Sequence, residues 1–145
     1  MSSGSSATML RPESRARARA LQLLYAWDTD GQPALDVLLP GVAGLTRPGP
    51  VVLEQAIALA GGVISRREEL DRLFARAAQN WRLDRLATID RNILRLGAFE
   101  LLTERTPPRV AIDEALWLAH RFSGLDSPGF INGVLDAVAR DLGRL

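Results

Sequence analysis

The chain has 145 residues, 47% apolar and 24% charged, with a formal net charge of +1 and no cysteine. That balance excludes a disordered chain, a disulfide-stapled scaffold and a thiolate metal site, and the length suffices to bury a core. No apolar run is long enough to span a bilayer and no signal-peptide core follows the N-terminus, so the expected location is cytoplasmic, with no membrane contact.

Residues 1–10 read as a flexible tail, Ser/Gly-rich and aperiodic, and residues 11–145 as a single all-helical domain. A first helix is expected from Pro12, since proline is tolerated in a first turn. Ala16, Ala20, Leu23, Leu24 and Trp27 recur at helical spacing and form its apolar stripe. Arg15, Arg19 and Gln22 fall on a neighbouring face, Arg17 lies beside Leu21 and Leu24, and residues 28–31 end the helix. Residues 33–50, with four prolines, are expected to be loop apart from a short helix at 34–39. A long helix is predicted from Val51 to Ala78, weakened at Gly61-Gly62, where a close approach by a neighbour would explain the pair.

Residues 81–86 read as a connector. Thr88 is a predicted N-cap for a helix on which Ile89, Ile93, Leu96 and Glu100 share a face. Pro107-Pro108 ends that region. A helix at 111–123 is expected to turn Ile112, Ala115, Leu116, Ala119 and Phe122 inward, with Trp117 on its outer face. Ser127 is the predicted cap of a last helix that has Pro128 at its first position and Ile131, Val134, Leu135, Val138 and Leu142 on its core side. No alternating β-branched run appears, so the fold class is all-α with about seven helices.

The sequence carries no recognisable catalytic or cofactor motif. The single histidine, His120, sits on the back of an amphipathic helix, and no nucleophile elbow, P-loop, zinc helix or dinucleotide fingerprint is present. No catalytic residue, metal ligand or cofactor is therefore assigned. The absence points towards binding.

All 18 basic residues are arginine. Arginine pairs bidentately with phosphate and stacks on bases, though coding bias alone gives the same composition. Distribution says more. Residues 1–27 carry four arginines and one glutamate, a net of +3, whereas residues 111–145 carry three arginines and five acids, a net of −2.

Three segments resemble the NusB family of transcription antitermination factors. Arg15-Ala16-Arg17-Ala18-Arg19-Ala20-Leu21-Gln22-Leu23-Leu24-Tyr25 is similar to that family's arginine-rich first helix. Ile89-Asp90-Arg91-Asn92-Ile93-Leu94-Arg95 with Phe99-Glu100-Leu101 is similar to its central helix. Val110-Ala111-Ile112-Asp113-Glu114-Ala115, then Ala119, Phe122 and Phe130-Ile131-Asn132-Gly133-Val134-Leu135-Asp136, resembles its C-terminal pattern, the most specific of the three. Ser14 departs from the pattern, standing where many members carry another arginine.

The resemblance implies two small helical bundles, binding to the single-stranded boxA element of ribosomal RNA leaders, and partnership with the ribosomal protein NusE. It also implies a place in the complex that lets RNA polymerase read through terminators. On that reading Arg15, Arg17 and Arg19 meet phosphates, Gln22 meets a base edge, and Tyr25 and Phe130 stack. Asn132 opens the last helix beside its free N–H groups, and Asp126 accepts from a base amino group. Asp90 and Arg91 match the region that faces NusE, and Trp117 marks a partner surface.

Each role has a structural alternative. The arginines form a solvated helix face, Tyr25 and Phe130 are boundary core, Asn132 bonds the preceding corner, Asp126 caps a turn, and Glu100 is a buried carboxylate with a hydrogen-bond partner. The alternative function is a NusB-like protein-docking module without RNA binding. A monomer or weak homodimer is expected.

Overall fold

Helix formers dominate the stretch after Pro12, and the computed structural model, which describes residues 11–46, 49–78 and 86–145, is helical there. Helix α1 (Pro12–Thr29) has proline in its first turn and Glu13 beside the positive end of its dipole. It ends as expected. Gly31 takes a left-handed φ of 85°, and the Gln32 N–H returns to the Trp27 carbonyl at 2.8 Å, closing a Schellman turn. Helices α2 (Leu35–Thr46), α3 (Pro50–Ser65), α4 (Arg67–Ala77), α5 (Thr88–Thr103), α6 (Pro108–Phe122) and α7 (Ser127–Asp141) follow. Among the described residues there is no strand, and no helix is long and apolar enough to cross a membrane. The expected tail at 1–10 and most of the connector at 81–86 lie outside the described residues.

The chain divides into two compact units, one ending at Ala60 and the other beginning at Gly61. In the first, α1 and α2 pack together, and the α1 stripe of Ala16, Ala20, Leu23, Leu24 and Trp27 is fully buried as expected. In the second, α5 packs against α4, α6 and α7, and α7 also touches α4 and α6. Its core includes Leu70, Phe74, Ile93, Leu96, Ile112 and Leu135. Each such buried side chain contributes roughly 1.5–3 kcal/mol by leaving water.

Four expectations about these elements are corrected. The 33–50 segment carries a twelve-residue helix, α2, which runs through Pro40. Packing against α1 outweighs the hydrogen bond that proline removes. The predicted 51–78 helix is two helices, and it breaks at Arg66 rather than at the glycine pair. There the Arg66 N–H reaches only three residues back, to the Val63 carbonyl at 3.2 Å, and the Ser65 hydroxyl takes the Gly62 carbonyl at 3.0 Å. Neither Thr88 nor Ser127 caps its helix: the caps are Ala87 and Asp126, neither with a side-chain bond. Finally, Pro108 starts α6 instead of ending a region.

The close approach expected at the glycine pair is real at Gly62. A Cβ there would lie 2.9 Å from Cε1 of Phe99 and closer still to its Cζ. Phe99 is itself buried, so its ring has little room to retreat. Gly62→Ala is therefore expected to destabilise the protein by about 1–3 kcal/mol through overpacking. Gly133→Ala, where an added Cβ meets nothing within 4 Å on an exposed helix face, is expected to be neutral or stabilising. Urea unfolding of the two variants checks the contrast.

Candidate nucleic-acid interface

Helix α1 separates its side chains by size and polarity. Alanines and leucines fill one side, and successive positions of the other carry Arg15, Arg19, Gln22, Ala26 and Thr29. Arg15 is exposed and has no side-chain partner among the described residues. Arg19 and Gln22 are half-buried and joined: Nη1 of Arg19 donates to Oε1 of Gln22 at 3.3 Å. Arg19 Nε is buried and has no hydrogen-bond partner among the described residues. Tyr25 is 46% exposed at the edge of this strip. No carboxylate occurs on it.

Arg17 differs. It is only 8% exposed and belongs to the buried side with Leu21 and Leu24, so it is not offered to a phosphate as Arg15 is. Ser14 is buried too, which explains why an arginine need not stand there.

The second unit holds the other expected site residues. The corner between α6 and α7 exposes Leu125 and Asp126. Asp126 occupies the cap position of α7 but makes no side-chain cap bond, so the turn-capping alternative is not what the geometry shows. Phe130 is half-buried and Asn132 exposed, both in the first turns of α7. The Asn132 side chain makes no hydrogen bond among the described residues, to the corner or elsewhere.

What fixes that corner is Asp90. Its carboxylate, 8% exposed, accepts from the Ser123 hydroxyl through Oδ1 and from the Ser127 hydroxyl through Oδ2 at 3.0 Å, and the two hydroxyls stand 2.9 Å apart. The expectation that Asp90 faces a partner is thereby corrected. A carboxylate committed to two hydroxyls inside its own unit is not presented to another chain. The sequence carried no local signal for this, because the serines lie 33 and 37 residues away. Arg91 is half-buried and donates through Nη2 to the Leu86 carbonyl at 3.2 Å.

Trp117 is half-buried on α6, with the Arg121 guanidinium 5.7 Å from its ring centre. Phe122, expected inward, is 39% exposed: it is the last residue of α6 and Leu118 fills the core in its place. Arg121 also approaches the Phe122 ring, at 5.9 Å. The Glu100 expectation holds, since its buried carboxylate accepts from the Thr106 hydroxyl at 2.8 Å. His120 is exposed, and no group of three metal-capable side chains occurs among the described residues.

The chain is similar to known proteins in sequence and in fold. The model of the NusB family matches residues 14–140. The transcription antitermination protein NusB of Solibacter usitatus is 43% identical over 133 residues, covering 88% of each chain. Among solved structures, Thermotoga maritima NusB superposes with a TM-score of 0.78 at 30% identity, covering 92% of this chain and 94% of that one. A crystal structure of antitermination factors NusB and NusE in complex with double-stranded RNA gives 0.81 at 27% identity, covering 92% and 99%.

Asp90→Ala should lower stability by about 2–4 kcal/mol, because it strands two hydroxyls that now share a charged acceptor. Asp90→Asn should cost less, as one amide oxygen still accepts. Thermal and urea unfolding measure both; equal stability of Asp90→Ala and the parent would show that the carboxylate does not hold the corner.

Proposed function

The chain belongs to the NusB family, and we propose on that premise that it is an RNA-binding transcription antitermination factor. It recognises the single-stranded boxA element of ribosomal RNA leaders together with NusE, in the complex that carries RNA polymerase through terminators. The observation that carries this reading is the α1 strip, where the exposed Arg15 and the half-buried Arg19 and Gln22 stand together with no carboxylate among them. Such a strip attracts a polyanion by releasing its counterions.

In this proposal Arg15 and Arg19 contact phosphates, Gln22 contacts a base, and the exposed Tyr25 ring is a stacking platform. Arg17, being buried, supports the helix. In the second unit Phe130 supplies another ring, Asn132 a polar side chain near the start of α7, and Asp126 an acceptor for a base amino group. NusE docks on the second unit, with Arg91 and Trp117 in its footprint. Action on nascent transcripts places the protein in the cytoplasm.

The test is a salt series on binding to a short single strand containing U, G and C. Replacing Arg15 and Arg19 together by alanine should reduce the slope of log K against log salt by about 1–2, at roughly 0.7 per single-strand phosphate. Affinity should rise when NusE is added. Arg17→Ala should lower the melting temperature more than it changes the slope. An unchanged slope in the double variant would favour the alternative, a helical docking module that does not bind RNA.

A further inference from the structure

Residues 124–126 carry the chain from α6 to α7, and their own side chains do little to hold them. Leu125 is fully exposed, and the Asp126 carboxylate makes no hydrogen bond among the described residues. A backbone bond spans the turn, from the Ser127 N–H to the Gly124 carbonyl at 3.2 Å. The side-chain anchors stand on either side. Ser123 is the C-cap of α6 and Ser127 the first residue of α7, and both donate to Asp90, Ser127 at 3.0 Å. Each hydroxyl has one hydrogen to give. With both given to one carboxylate, the 2.9 Å between the two serine oxygens is set by their shared acceptor. A single side chain on the first turn of α5 thus grips both ends of the corner.

What that grip fixes is the start of α7. Phe130 follows Ser127 by three residues, on the same side of the helix, and Asp126 directly precedes it. A displacement of Ser127 moves both. A binding contact has to be held to within about 0.5 Å, and it keeps that precision only if its support is itself locked. Asp90 is suited to support and not to contact. It is only 8% exposed, and its negative charge taken alone would repel a phosphate chain.

We infer that Asp90 is a positioning residue for RNA binding: by holding Ser123 and Ser127 it sets the corner that presents Asp126 and Phe130, and it touches no nucleotide itself. This rests on the RNA-binding reading above, which gives those two residues their contacts. The experiment measures affinity for a short single strand of U, G and C, well below the lowest melting midpoint of the variants. Asp90→Ala should weaken binding about threefold or more, since one base stack is worth at least about fivefold. The slope of log K against log salt should stay as it was, because no phosphate contact is removed. Asp90→Asn, whose amide can accept from one hydroxyl and donate to the other oxygen, should stay within about twofold of the parent. In a background carrying Asp126→Ala and Phe130→Ala, adding Asp90→Ala should cost no more than about twofold, because the contacts it positions are gone. If Asp90→Ala does not fold, Ser127→Ala, which removes one hydroxyl, takes its place in each comparison. Tighter binding by both Asp90 variants would mean that the group acts through its charge alone. An equal loss with and without the corner side chains would mean that it acts on the whole fold. Either result overturns the assignment while the RNA reading stands, as does a corner variant, Asp126→Ala with Phe130→Ala, that binds like the parent. No binding by the unaltered protein overturns both.

Discussion

Every residue from Asn92 to Leu101 of α5 is buried, so polar side chains on that helix have no water to turn to. A buried polar group without a partner costs several kcal/mol, and a buried charge more. Asn92, Arg95 and Glu100 fall inside that run and Asp90 just before it. Each has its own solution. Arg95 forks onto Asp71 of α4, with Nε to Oδ1 at 2.8 Å and Nη2 to Oδ2 at 3.0 Å, and its Nη1 donates to Asn92 at 3.0 Å. Asn92 returns its amide to the Thr88 carbonyl at 2.9 Å. Glu100 holds Thr106 beyond the end of α5, and Asp90 holds Ser123 and Ser127. The polar groups of α5 therefore tie down α4, the α5–α6 connection and the α6–α7 corner. Apolar burial sets how strongly the helices pack; these pairings set which neighbour each helix meets and in what register.

The first unit is built differently. Small and aliphatic side chains of α1 make its core, and one buried cation, Arg17, lies among them. The strip of Arg15, Arg19 and Gln22 on its outward side carries no carboxylate, Glu13 and Asp28 lying on other faces of the helix. An unopposed cationic strip contributes nothing to folding that a mixed surface would not also provide, and it adds self-repulsion. Its arrangement makes sense for a helix that meets an acceptor-rich ligand. In the second unit several arginines turn inward or across to acids, as in Arg95–Asp71, Arg140–Asp136 and Arg76–Asp141.

The apolar stripe of α1 and the inward faces of α5 and α7 were legible because period and composition agreed there. Leu142 is half-buried past the end of α7, so the stripe outlasts its helix. Local propensity misled wherever tertiary packing or side-chain chemistry had the deciding vote. Pro40 argued against a helix that packing supports. Gly61-Gly62 marked a close approach and not a break, and the break came where a serine hydroxyl competed for a carbonyl. Asp90 is the clearest case among the site residues. Its place in the sequence pattern suggested a surface, and only the fold, by bringing serines from 33 and 37 positions away, shows a carboxylate turned inward. Arg15 and Arg17, two residues apart in a helix, had to point differently; that one is buried follows from the leucines beside it.

The exclusive use of arginine is open to two explanations, and the structure separates the positions to which each applies. At Asp71 two carboxylate oxygens are met by two nitrogens of one planar group, which a lysine ammonium cannot reproduce in a fixed fork. Arg144, set by a Schellman turn at Gly143, reaches the Leu101 carbonyl at 2.6 Å and the Thr106 carbonyl at 3.3 Å, tying the end of α7 to the end of α5. Arg19 holds an amide with one nitrogen and leaves Nε without a partner among the described residues. At these positions the guanidinium is required by geometry. At Arg76 or Arg140, both exposed, any cation would serve, and compositional bias is explanation enough. Arginine content by itself therefore says nothing about nucleic acid; an arginine that leaves its donors unspent on an acid-free surface does.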